Sequence, residues 1–96
     1  MKPSLALLSH GSSVRTLTHR YRASNPRVFG STVRGADTEA SDLDLLVDAA
    51  PGATLLDLSR LQIALEDLLG VPVDVMTPQD LPARFRDQVL AEARPV

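Results

Sequence analysis

The chain has no cysteine, few aromatic residues, no surplus of positive charge and no long apolar run. Without cysteine there are no disulfides, no thiolate metal sites and no cysteine nucleophile. Tyr21, Phe29 and Phe85 are the only aromatic residues, so a core must be built from Leu, Val, Ile and Ala. Ten Lys and Arg against twelve Asp and Glu give a formal net charge of −2. That balance leaves room for a local basic patch but argues against a DNA-binding or sequence-reading nucleic-acid module. The opening segment offers only the four-residue apolar stretch Leu5–Leu8, against about 7–15 in a signal peptide. No run approaches the roughly 20 apolar residues needed to span a bilayer. The expectation is a cytoplasmic protein with no membrane contact. At 96 residues, one small domain, 1–96, with one core is expected.

What is present is strongly patterned. Leu7, His10, Val14, Leu17 and Tyr21 recur at steps of three and four, which predicts an amphipathic helix over 3–22. The Gly11-Ser12-Ser13 run weakens it locally. A core region over 26–93 follows. Asn25-Pro26 punctuates the chain, and Arg27-Val28-Phe29 reads as a short strand ending at Gly30-Ser31. A turn or brief helix is expected over 31–36, then a polar loop, then a strand from Asp42 to Val47 that stops before Pro51-Gly52. Thr54, with Asp57 three positions on, marks the start of a helix that Gly70 ends. Val71 to Met76 alternates as a strand with Asp74 on the face opposite its valines. Leu81, Phe85 and Val89 at i, i+4, i+8 predict a last helix to about Ala93. The order gives a three-stranded sheet with helices on one face and the carboxylate-bearing face open.

Asp42 and Asp44 sit two apart on an apolar strand, so they share a face roughly 6.5–7 Å apart, while Leu43, Leu45 and Val47 face the core. Two like charges at that separation repel by about 2 kcal/mol at an effective dielectric near 20. A domain with a total stability on the order of 5–15 kcal/mol gains nothing from that repulsion unless a cation answers it. If the strand bearing Asp74 is a neighbour, three carboxylates converge. Hard oxygen ligands suit Mg²⁺ or Mn²⁺ and not Zn²⁺, and three can hold two ions about 3.5–4 Å apart. The competing reading is an ordinary solvated strand face. Gly30 lets the backbone approach a ligand closely, and the amides after it, with the Ser31 hydroxyl, can hold phosphate oxygens. Arg34 has two readings of equal weight, neutralising charge on a phosphate or pinning its own loop to an acid. Ser41 reads as a loop cap and His10 as a packed histidine. Asp37, Glu39 and Glu66 read as solvated acids, and Arg84, Arg86 and Arg94 as a solvated face.

Gly30-Ser31-x-x-Arg34-Gly35, then Ser41-Asp42-x-Asp44-Leu45-Leu46-Val47, then Val73-Asp74-Val75, resembles the nucleotidyltransferases of the DNA polymerase beta superfamily, most of all its minimal stand-alone branch. The likeness runs from Val28 to about Ala93. It implies an α/β (α+β) fold with a small mixed sheet, two Mg²⁺ ions, and transfer of a nucleoside monophosphate from a triphosphate, ATP foremost, to a hydroxyl. By that resemblance Asp42 and Asp44 ligate both ions, and Asp74 ligates the catalytic ion and helps deprotonate the acceptor. Gly30 and Ser31 hold the outer phosphates, with Arg34 a further nucleotide contact. All three carboxylate positions are filled. Stand-alone members of the branch are commonly paired with a small helical HEPN-type ribonuclease as antitoxin and toxin, which implies a macromolecular acceptor. The alternative is a non-catalytic module that neutralises a partner by sequestration.

Overall fold

The computed structural model describes residues 1–96. Pro3–Arg20 form helix α1, with Pro3 in the first turn, where its missing N–H would have had no helical partner. Pro3, Ala6, Val14 and Thr18 are buried, and Leu7, Leu17 and Tyr21 pack beside them. The backbone kinks at His10 (φ −131°, ψ 15°), beside the Gly11-Ser12-Ser13 run. His10 is partly buried, and its Nδ1 lies 2.9 Å from the Ala6 carbonyl oxygen.

Strand β1 is Ala23–Phe29, followed by a 3-10 turn at Gly30–Thr32. Then come β2 (Leu43–Ala49), α2 (Leu55–Leu69), β3 (Val73–Met76), a second 3-10 turn at Pro78–Asp80, α3 (Ala83–Glu92) and β4 (Arg94–Pro95). The sheet is mixed, in the order β3-β2-β1-β4. β1 runs antiparallel to β2 and β4, and β2 parallel to β3. It therefore has a fourth strand beyond the three expected, a two-residue edge too short to carry any alternation. β1 also starts earlier than Arg27. Its register shifts between Ser24 and Arg27, where Asn25 adopts φ 52°. Asparagine is among the few residues that tolerate that region, so the Asn-Pro pair makes a bulge within the strand and does not end it.

The core lies between one face of the sheet and helices α1 and α2. Val28, Leu43, Leu45, Val47 and Val73 meet Ala6 and Val14 of α1 and Leu61, Leu65 and Leu69 of α2. Thr54 caps α2 reciprocally. The Thr54 N–H donates to Asp57 Oδ2 at 2.9 Å, and the Asp57 N–H donates to Thr54 Oγ1 at 3.4 Å. Glu66 is not a free solvated acid: its Oε2 accepts from the Val73 N–H at 3.0 Å, and Gln62 Oε1 accepts from the Val75 N–H at 3.3 Å. These two side chains satisfy the outward amides of edge strand β3, and so fix the strand that carries Asp74.

The other face is less open than the alternation suggests. Leu46 shares it with Asp44 yet is fully buried, and the Pro78–Asp80 turn packs on β2. From there the chain passes to β4 at the far edge of the sheet. α3 contributes no buried residue to any core, and Phe85 is 46% exposed. Arg86 anchors its start by donating to the carbonyls of Pro78 at 2.8 Å, Leu81 at 3.0 Å and Gln79 at 3.4 Å. Arg86 is therefore a structural clamp and not part of a solvated face.

Asp37 also departs from its sequence reading. It is buried, and its Oδ2 accepts from the Ser4 N–H at 2.8 Å, satisfying an amide in the first turn of α1 from across the fold. That backbone hydrogen bond outweighs burial and, with help from Lys2, holds the carboxyl below its ordinary range. Such a group stabilises the fold above the ordinary carboxylate pKa and loses that contribution as pH falls through its lowered value. Asp37→Ala is expected to lower Tm at neutral pH, and the gap from the parent protein should close in acid. Melting curves across pH check it.

Candidate active site

Strand register gathers the acidic residues. Asp44 of β2 pairs laterally with Asp74 of β3 and, on its other side, with Phe29 of β1. Laterally paired residues share a face, and alternation adds Asp42, just ahead of β2, to it. Leu43, Leu45 and Val47 point into the core and are fully buried. Asp42 and Asp74 are exposed, whereas Asp44 is half-buried between them. Burial first, then the charges of Asp74 and Asp42, push the Asp44 carboxyl above its ordinary range, with Arg34 pulling the other way. Asp48, next in the same parity, plays a different part. Burial pushes it up, but hydrogen bonds from Arg27 and Asn25 outweigh that and leave it lowered. It closes an ion pair with Arg27 at 3.2 Å and belongs to the scaffold.

Gly30 begins the 3-10 turn with φ 76°, and a Cβ built on it would lie 2.5 Å from Asp44 Oδ2. Only glycine lets the backbone pass this close to that carboxylate. Ser31 follows, partly buried, its carbonyl accepting from the Ala36 N–H at 2.9 Å. Thr32 Oγ1 is buried with no hydrogen-bond partner. Arg34 is held as the loop-pinning reading expects. It pairs with Glu92 of α3 at 3.7 Å and still lowers the Asp44 pKa. Ser41 Oγ accepts from the Thr38 N–H at 2.8 Å, a loop cap as read.

The three carboxylates share a face but are not drawn into a ready-made ligand shell, since no three acidic or histidine side chains meet closely enough. The site is an open surface. The two depressions in the molecule, about 270 and 280 Å³, are lined by none of the three. The donor set still fits a hard divalent cation: it consists of carboxylates alone, burial and then the charges of its neighbours raise Asp44, and the missing Cβ at Gly30 leaves Asp44 Oδ2 approachable. Sequence reasoning missed Phe29 as the cross-strand neighbour of Asp44 and Glu92 as the partner of Arg34. Alternation gives the face of a residue but not its lateral neighbour, so neither had a local signal.

A small α+β fold with acidic residues aligned on adjacent strands, and a Gly-Ser turn pressed against them, defines the class of the minimal transferases of nucleotides. The chain belongs to the nucleotidyltransferase domain family, whose pattern it matches over residues 11–96, and it is an enzyme of that family. It is similar to a solved chain described as "Structure of putative minimal nucleotidyltransferase", with 48% identity, TM-score 0.87, and coverage of 97% of this chain and 95% of that one. The protein adenylyltransferase MntA of Thermococcus cleftensis is 38% identical over 78 residues, 81% of this chain and 79% of that protein. A chain from a toxin–antitoxin structure with AMP-PNP shares the fold at TM-score 0.73 and 21% identity, over 88% of this chain and 69% of that chain. No helix is long and apolar enough to cross a membrane.

Proposed function

We propose that this enzyme transfers AMP from ATP to a hydroxyl of a macromolecular acceptor, a small helical HEPN-type toxin, and acts as its antitoxin. The observation that carries the reading is the lateral pairing of Asp44 with Asp74, with Asp42 on the same face and Gly30 close against Asp44. The names of relatives support it: one is a protein adenylyltransferase, and one fold neighbour was solved in a toxin–antitoxin assembly with an ATP analogue.

Asp42, Asp44 and Asp74 would hold two Mg²⁺ ions, with Mn²⁺ an alternative. Bound there, the ions supply charge neutralisation for the attacking and leaving oxygens at the α-phosphorus. The Gly30-Ser31 turn holds the β- and γ-phosphates through its amides and the Ser31 hydroxyl. Arg34 meets charge developing on the leaving group. Asp74 takes the acceptor's hydroxyl proton. The acceptor oxygen bonds to the α-phosphorus, the bond from that phosphorus to the bridging oxygen breaks, and pyrophosphate leaves. Transfer at the α position separates this chemistry from that of a kinase, which acts at the γ-phosphate.

The test is the position of the label. ATP labelled at the α-phosphate, incubated with the protein, Mg²⁺ and its cognate partner, should label the partner, and γ-labelled ATP should not. Labelling from the γ position would exclude nucleotidyl transfer. Stoichiometric inhibition of the partner with no labelling would favour the sequestration reading. A narrower test addresses the phosphate turn. Ser31→Ala removes one hydrogen bond to a charged phosphate, worth about 1.5–3 kcal/mol, so Mg-ATP should bind about ten- to a hundredfold more weakly by calorimetric titration. Tm should not move, because no core volume is lost.

A further inference from the structure

The charges of this chain are segregated along its length. Residues 1–36 hold Lys2, Arg15, Arg20, Arg22, Arg27 and Arg34 and no acidic residue, while all twelve Asp and Glu lie from Asp37 onward. The two ion pairs in the structure use Arg27 and Arg34, which leaves the charges of α1 and the residues just after it facing solvent. Arg20 and Arg22 are exposed and have no carboxylate partner. Arg15 is exposed and donates only to the Val96 carbonyl, at 3.2 Å.

The outer face of α1 is also patterned. Leu5, Leu8, Ser12, Arg15 and His19 follow one another at steps of three and four, and all five are exposed. On either side of the kink at His10 these residues lie opposite the buried ones, Pro3 and Ala6 before it and Val14 and Thr18 after it, which leaves an outer face on which another helix can pack. Its first half is apolar: Leu5 is 52% exposed and Leu8 82%, and Met1, just ahead of the helix, is 70% exposed. Its second half carries Arg15, with Arg20 and Arg22 close after it in the chain. A lone surface leucine needs no explanation, but two successive leucines on one helix face, with an exposed methionine just before the helix, mark a contact surface.

We propose that this face of α1 docks a helix of a partner protein whose own seam is apolar at one end and acidic at the other. The occupant is fixed by complementarity. Leucines and a methionine need an apolar row, which nucleic acid does not offer. Arg15, Arg20 and Arg22 need carboxylates, and α1 has none of its own. Acidic residues across such an interface would set orientation and exclude basic partners. The proposal extends the partner reading above to a surface. Its test uses no nucleotide, so it can fail while the transfer chemistry stands, and the reverse.

The probe is a synthetic amphipathic helix with leucines along the first half of one stripe and glutamates along the second. Its counterpart carries lysines in place of the glutamates. The glutamate peptide should bind the full chain by fluorescence anisotropy, more weakly as salt rises, and the lysine peptide should not. Leu5→Ser with Leu8→Ser should weaken binding about tenfold, as should Arg15→Glu with Arg20→Glu. Because these residues are exposed, both variants should keep the parent far-UV circular dichroism and Mg-ATP affinity. The proposal is overturned by equal binding of the two peptides, by no binding, or by persistence of binding in both variants. It is also overturned if a single-stranded RNA displaces the peptide, or if sedimentation shows α1 already buried in a dimer of this chain.

Discussion

Asp44→Asn is expected to lose transfer by about 10³-fold while melting at a higher temperature than the parent protein. The two effects have one origin. Asp44 sits half-buried with Asp74 beside it and Asp42 on the same face, and burial followed by those two charges raises its pKa. A carboxyl raised in the folded state favours folding when protonated. Its contribution falls as pH climbs from the unfolded pKa through the folded one. At neutral pH the native protein carries that penalty in full, and asparagine removes it with little change of shape. The gain should be on the order of a few degrees in Tm and should vanish in acid, where the parent carboxyl is protonated. Activity moves the other way, because losing a shared ligand forfeits transition-state stabilisation of about 4 kcal/mol, or about 10³-fold. Transfer of α-label and melting at two pH values measure both. A variant that is inactive and less stable would show that Asp44 holds the fold and is not the strained member of a site.

Gly30→Ala should damage both stability and rate. The φ of 76° at Gly30 costs a side-chain-bearing residue roughly 1–2 kcal/mol, and the new Cβ would lie 2.5 Å from Asp44 Oδ2. The carboxylate must turn away. Displacing a reacting constellation by about 1 Å is enough to lose on the order of 10²-fold in rate. Gly35 supplies the control. Its φ is 70°, but a Cβ there meets nothing within 4 Å. Gly35→Ala therefore carries the backbone strain alone, and should melt lower while keeping most of its transfer rate. If the two variants lose activity equally, the closeness of Gly30 to Asp44 has no functional meaning.

The parts legible in the sequence are those whose causes are local. Thr54, Asp57 and Gly70 bracket α2 because capping is decided within a few residues. The faces of β2 follow from alternation, and the Gly-Ser turn from the glycine its backbone requires. The resemblance placed Asp74 with the pair, and register then showed it to be the lateral neighbour of Asp44. What stayed hidden depends on distant partners. Asp37 looks like any loop acid until Ser4 is found against it. β4 is two residues long and exists only because β1 has a free edge. The row Leu81, Phe85, Val89 reads as one amphipathic stripe, yet only Leu81, ahead of α3, is buried and α3 itself has no buried residue, because a periodic pattern states what a helix could pack and not whether anything is there. Leu46 is buried and the Pro78–Asp80 turn packs on its strand, which alternation on that strand cannot anticipate.

The parallel pairing of β2 with β3 has a consequence for the order of folding. A parallel pair cannot be closed by a tight turn; it needs a crossover, here the whole of α2 between Ala49 and Val73. Asp44 and Asp74 therefore become neighbours only after that loop has closed and its entropy has been lost. Their mutual repulsion opposes the last part of the zipping. Contacts at the carboxylates should thus be absent from the folding transition state, with φ-values near zero at both positions. Relieving the repulsion would then slow unfolding and leave the folding rate nearly unchanged. The chain completes its scaffold first and its chemistry last.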